Sequence, residues 1–380
     1  MFSNRTSKCR KLHNILNSVI IIDEAQQIPL DYLEPCIEVM KELVNNYNCT
    51  IVLCTATQPS IYKSKTFNKG IEKITEIVDN PKEYFNILKR VNIEYLGKVS
   101  NDELISYMDC NISELIITNT KKEARELGNK INGYVLTTDL CSQHRKDKLE
   151  KIRYNLRNGV PCKVVSTSLI EAGVDISFPV VYRAVTGVDS IGQGAGRCNR
   201  EGELSNLGKV YLYTPENGYP EIGLIKPMAQ ITEKYLNENR DILSIEVVDE
   251  YFKELYTRYS DNLDKKKIIQ RLTMGIKNND INVQFKDISD DFKLIDEHSY
   301  TILVPYNQEA VELIAKFKNN QNLKTMRKLQ KYSVQVKSYE LTHFIEKGII
   351  VEIKEGVYEL TNNENYGEMG IEIKEDYYII

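Results

Sequence analysis

No stretch of the 380 residues approaches the ~20 consecutive apolar residues of a membrane span, so no membrane partner is expected. The first segment, MFSNRTSKCRKLHNILNS, carries basic side chains but no apolar core and no small-residue cleavage site. It is not expected to act as a secretory leader. Eight cysteines are present without a Cys-x-x-Cys pair or a Cys/His cluster, which argues against a disulfide framework and a zinc site. A reducing cytoplasm is the location this implies. The four histidines (His13, His144, His298 and His343) are scattered. Positive charge is not in excess: the net charge of -4 excludes coating nucleic acid by bulk charge, so any such surface must be local. There is no internal repeat and no low-complexity segment. What is present is a globular composition, 42% hydrophobic and 27% charged, long enough for about two or three domains with cores of their own.

The run Val19-Ile20-Ile21-Ile22 is short and β-branched, which suits a strand buried on both faces. It ends in Asp23-Glu24-Ala25-Gln26. Two adjacent carboxylates at a strand exit are costly unless they hold a cation or activate a water. Asp23 is then the residue that orients Mg²⁺ through its waters, and Glu24 the one that polarises an attacking water. A helix start with acids favoured by the helix dipole is the other reading. Leu33, Ile37, Met40 and Val44 recur at helical spacing, and Thr50–Cys54 forms a second strand ending in Thr55-Ala56-Thr57. Strand, helix and strand with polar tips are the α/β signature, with ligands expected at the carboxyl edge. Thr55 and Thr57 are placed to relay from the acids, or to form a plain strand-end turn.

Residues 60–90 read as an exit and linker. Strands at Glu114–Ile117, Tyr134–Leu136, Val164–Val165, Val180–Val181 and Val210–Tyr213 then alternate with helical segments, which predicts a parallel sheet with covering helices. From about 222 to 295 the chain is helical and charge-rich. After residue 300, alternating patches predict a small α+β domain. Its basic stretch (Lys324, Arg327, Lys328, Lys331 and Lys337) suits nucleic acid or a solvated helix face.

The densest chemistry lies in Lys163–Arg200, KVVSTSLIEAGVDISFPVVYRAVTGVDSIGQGAGRCNR. Residues 192–196 read as a flexible Gly-rich turn, closed by Arg197 and Arg200. Guanidinium forks on such a backbone suit phosphate oxygens; incidental surface charge is the alternative.

DEAQ at 23–26, TAT at 55–57, STSLIEAGVDI at 166–176 and QGAGRCNR at 193–200 resemble helicase motifs II, III, V and VI of superfamily 2. Their flanks, with CTATQP and LTTDLCSQHR, resemble the helicase part of the CRISPR-associated helicase–nuclease of type I systems. The tail from VPYNQEA onward is similar to that family's C-terminal domain. The resemblance implies two RecA-like domains driven by ATP and Mg²⁺. It implies movement along single-stranded DNA after recruitment by an RNA-guided surveillance complex. By position, Asp23 and Glu24 serve the metal and the hydrolytic water, and Gln26 faces the second domain. Gly173 and Asp175 approach the nucleotide, Gln193 reaches the γ-phosphate, and Arg197 and Arg200 are arginine fingers. Thr55 and Thr57 couple hydrolysis to movement, while Thr120 and Thr167 contact the DNA backbone.

The expected fold is α/β: the C-terminal part of a first RecA-like domain (1–80), a complete second one (81–221), a helical linker region (222–299) and an α+β accessory domain (300–380). No GxxxxGK[ST] stretch occurs in these residues, and the nuclease's His-Asp cluster is missing too. The expectation is therefore a split or truncated motor. It should lack ATP hydrolysis alone, expose an apolar sheet edge, and act only with a separate chain carrying the P-loop and nuclease. A non-catalytic DNA- or complex-binding module, a gene relic, and a DEAD-box RNA helicase are the competing readings.

Overall fold

The computed structural model describes residues 2–372 apart from 56, 65–66, 275, 278–279 and 295–298. The chain forms two compact units, each drawn from three segments. The first takes residues 1–89, 187–192 and 227–297, and the second takes 90–186, 193–226 and 298–380.

In the first unit, β1 (Val19–Ile22) and β2 (Thr50–Leu53) lie parallel, with Val19 opposite Thr50 and Ile22 opposite Leu53. The intervening Leu33–Asn46 helix buries Leu33, Ile37, Met40 and Leu43. Val44 was expected in that stripe but lies exposed, because the buried stripe ends on Leu43, about 100° around the helix from Val44. β1 also departs from the expectation of burial on both faces. Val19 and Ile21 are each 66% exposed, since β2 is its strand partner among the described residues and one face is left uncovered. The Ile245–Arg258 helix completes this unit, burying Val247, Val248, Tyr251, Phe252, Leu255 and Tyr256.

The second unit carries six parallel strands. They are β3 (Val91–Val99), β4 (Glu114–Ile117), β5 (Tyr134–Leu136), β6 (Lys163–Ser166), β7 (Val180–Ala184) and β8 (Gly208–Pro215), in the order β3-β8-β7-β4-β6-β5. β4 and β7 are central, and every side chain on them is buried. β3 escaped the sequence reading. It is one of the two edge strands, and its alternation of polar and apolar residues belongs to a half-solvated surface rather than a buried run. The Lys121–Ile131 and Ser142–Arg157 helices connect β4 to β5 and β5 to β6.

The C-terminal residues belong to the second unit. Their four-stranded sheet runs Ser333–Lys337, Ser299–Leu303, Val357–Leu360, Ile350–Lys354. It is anchored on the Ser142–Arg157 helix: the Tyr306 ring stacks on His144 with centroids 4.6 Å apart, and its hydroxyl donates to Asp147 at 2.7 Å. Arg125 donates to the Ile371 carbonyl at 2.6 Å, and the Ile371 amide bonds Asp139 O at 3.2 Å. Gly370 makes this approach possible. Its φ is +94°, and a side chain there would meet Asp139 O at 2.2 Å.

Candidate functional site

In the first unit the two parallel strands finish side by side, with Cys54 N bonding Ile22 O at 2.9 Å and Ala25 N bonding Cys54 O at 3.1 Å. Motifs after each strand are thereby brought to one edge. Glu24 takes a left-handed conformation, φ +52°, which turns the chain sharply off β1. Its carboxylate accepts from Gln26 Nε2, and Gln26 Oε1 in turn faces the Thr55 hydroxyl. The Thr55 hydroxyl also lies 2.6 Å from the Thr57 carbonyl. A hydroxyl has one proton, so it serves Gln26 or Thr57 at a given moment. Gln26 and Thr57 are buried, whereas Asp23 and Glu24 are exposed. With the Thr55 proton on Gln26 Oε1, the Thr55 oxygen accepts from Thr57 N at 3.3 Å, and a contiguous polar chain joins the exposed Glu24 to the buried Thr57.

Among the described residues no group of three or more His, Cys, Asp or Glu side chains forms a metal cluster. Two exposed carboxylates fit a cation that keeps most of its own waters, as Mg²⁺ does, better than a caged metal.

In the second unit the segment after β6 forms a short 3-10 turn, Ser168–Ile170, where a longer helical segment was expected. Arg197 lies beneath it. Only 6% exposed, it donates from Nε to Ile170 O at 2.9 Å and from Nη2 to Glu171 O. The guanidinium expected to reach phosphate thus caps main-chain carbonyls. Arg200 is different: its side chain is 41% exposed and its Nε lies 2.9 Å from Asp175 Oδ1. Gly173, φ +68°, has open space where a Cβ would stand.

Gln193 is half-buried within the Val188–Ala195 helix. That helix replaces the flexible Gly-rich turn. Its glycines serve close approach: a Cβ on Gly194 would meet Ile117 Cδ1 at 3.3 Å and Arg183 Cδ at 3.4 Å. Thr120 and Thr167 sit beyond the tips of adjacent strands, since β4 and β6 pair with Ile117 opposite Ser166. Thr120 also caps the Lys121–Ile131 helix, its hydroxyl accepting from Glu123 N at 3.1 Å.

Arg183 was not singled out from the sequence. It is 2% exposed, 3.0 Å from the equally buried Glu171, and donates to Asn119 Oδ1 at 2.8 Å. Glu171 is thus held twice, by Arg183 through its side chain and by Arg197 through its carbonyl. The signal for Arg183 was in the sequence: a charge inside the apolar run VVYRAV must be paired when the strand is buried.

The parallel sheet with covering helices places the chain in the RecA-like α/β class. Cas3 of T. fusca bound to AMPPNP has the same fold, with a TM-score of 0.59 at 13% identity over 90% of this chain and 50% of that one. A CRISPR RNA-guided surveillance complex in its pre-nicking state contains a chain matching at TM-score 0.58 and 12% identity, over 90% of this chain and 53% of that one. Residues 111–203 match the family model of the CRISPR-associated nuclease/helicase Cas3, C-terminal. The CRISPR-associated nuclease/helicase Cas3 of Methanothermobacter thermautotrophicus is 25% identical over 197 residues, 48% of this chain and 24% of that protein. Family model, relatives and structures agree on the C-terminal helicase portion of Cas3-type proteins, the family model over residues 111–203 and the shared fold over 90% of the chain. The chain spans about half the length of these solved structures and well under two thirds of the curated relatives.

Proposed function

We propose that the chain is the catalytic-acid and arginine-finger portion of an ATP-dependent motor that moves on single-stranded DNA in type I CRISPR interference. The observation that carries this reading is the hydrogen-bonded chain from Glu24 through Gln26 and Thr55 to the Thr57 amide. A plain strand-end turn has no need to connect an exposed acid to the backbone of a buried threonine. In this reading Asp23 and Glu24 hold hydrated Mg²⁺ and the hydrolytic water, which bound ATP would bring against the phosphate chain. Gln193, Gly173, Asp175 and Arg200 serve the nucleotide, with Arg200 as the presented finger and Arg197 holding the loop behind it. Thr120 and Thr167 offer hydroxyls to a DNA backbone at adjacent strand tips, a contact indifferent to sequence. Residues 1–80 and 81–221 are then parts of two RecA-like domains, with 222–299 as linker and 300–380 as accessory domain. The recruiting partner is an RNA-guided surveillance complex, and the compartment is cytoplasmic.

These residues hold no P-loop, so hydrolysis requires one from outside them. A polypeptide carrying that P-loop, mixed with this chain, should yield ATP hydrolysis stimulated by single-stranded DNA. Arg200→Ala should lower the rate by about a thousandfold or more. No turnover from the mixture, with both chains folded, overturns the proposal. The second reading is a non-catalytic DNA- or complex-binding module. Under it, DNA or complex binding is retained and Arg200→Ala changes nothing measurable.

A further inference from the structure

The Ile245–Arg258 helix lies in the region read from sequence as linker, yet two of its residues reach the segments that flank the site. Asp249 accepts hydrogen bonds from the hydroxyls of Ser60 and Tyr62, just beyond Thr57. Its other oxygen pairs with Lys253 at 2.5 Å, and the Lys253 ammonium lies 5.2 Å from the Tyr62 ring centroid. Burial works to raise the Asp249 carboxyl, but the bonds from Lys253, Ser60 and Tyr62 outweigh it and hold it below the ordinary range. Ser60 is 3% exposed, so this anchor is not a loose surface contact.

Two residues further on, and so about 200° around the helix, Tyr251 is fully buried against residues 187–189. A Cβ on Gly187 would lie 2.9 Å from the Tyr251 hydroxyl and 2.5 Å from Asp189 Oδ1. This contact sits at the entry to the Val188–Ala195 helix, which carries Gln193. Gly192 on that helix also faces Thr57, whose Cγ2 is 3.1 Å from where a Cβ would stand. Ser60, Tyr62, Thr57, Asp249, Tyr251, Lys253 and residues 187–192 all belong to the first unit, whose 187–192 segment ends one residue before Gln193.

We propose that the Ile245–Arg258 helix is a strut that couples the segment after Thr57 to the segment entering the Gln193 helix, with Asp249 and Tyr251 as positioning residues. Its use in a motor cycle rests on the function proposed above; its existence does not. A strut makes the coupling reciprocal: loosening one end must loosen the other.

Amide hydrogen exchange of the whole chain, resolved by peptide mass spectrometry, tests this without nucleotide or partner. Asp249→Ala should raise exchange by at least about fivefold in residues 187–192 as well as in 57–62. Gly187→Ala should do the same in 57–62. Peptides from β4 and β7 must keep wild-type protection, showing that the chain is folded. If Asp249→Ala does not fold, Tyr62→Phe removes a single exposed-end hydroxyl and carries the same expectation at a smaller amplitude. Exchange that rises solely in the segment each variant touches overturns the strut. ATPase activity plays no part in the readout, so its failure and the failure of the motor reading are separable.

Discussion

β1 and β4 are both four-residue, β-branched or leucine-rich strands with a parallel partner, yet their surroundings are opposite. β4 has neighbours on both sides, β6 and β7, and all four of its side chains are buried. β1 has β2 alone among the described residues, and alternate side chains stand two-thirds exposed. The same contrast holds for their charges. Asp23 and Glu24, after β1, face solvent. Glu171 and Arg183, beside β4, are sealed in the core as a pair. Apolar sequence commits a segment to a strand, while neighbours decide whether its chemistry is open or structural.

The largest effect should come from the sealed pair. Arg183→Met strands the Glu171 carboxylate and should cost about 3–5 kcal/mol. Replacing both residues with methionine should cost less than either single change. Chemical denaturation of the second unit measures both, and an additive double variant would show that the two charges are not paired.

Next in size is a matched pair of truncations. Ile116→Ala, in the fully buried β4, should destabilise by about 2–5 kcal/mol. Ile21→Ala, on the exposed face of β1, should stay within about 0.5 kcal/mol. Equal losses in denaturation midpoints would mean that the face of β1 is covered in solution, and the contrast between the sheets would disappear.

The third effect concerns the C-terminal anchor. Burial first, and then the charge of Lys148, push His144 down to about 4 from its ordinary 6.5. The folded chain therefore binds fewer protons than the unfolded chain between those values. The contribution is complete above 6.5 and is lost as pH falls towards 4. Midpoints followed through this window should fall for the wild type, and His144→Gln should flatten that part of the profile. An unchanged slope in the variant would assign the acid sensitivity elsewhere.

Much of this protein was legible along the chain. Glu114–Ile117 and Tyr134–Leu136 are strands at the bounds read from the sequence, because their apolar residues are buried and the buried Glu114 is paired with Lys163. The DEAQ and TAT motifs follow β1 and β2, because polar residues sit where a strand leaves the sheet. The helical reading of 245–258 was also available, but its role was not. A helix's periodicity marks its buried stripe and says nothing about which loop an Asp249 or a Tyr251 on that helix will meet.

Tertiary structure alone separated Arg197 from Arg200. The two lie three residues apart in one motif and are the same residue type. One is drawn under the Ile170 and Glu171 carbonyls, which need donors once buried, and the other stays at the surface beside Asp175. It likewise placed the glycines of 192–194 in a close-packed helix rather than a flexible turn, with Ile117 and Arg183 in close contact at Gly194. Residue type and spacing determine which groups can do chemistry. Which of them are used up holding the backbone depends on contacts between segments distant in sequence, and those exist only in the folded chain.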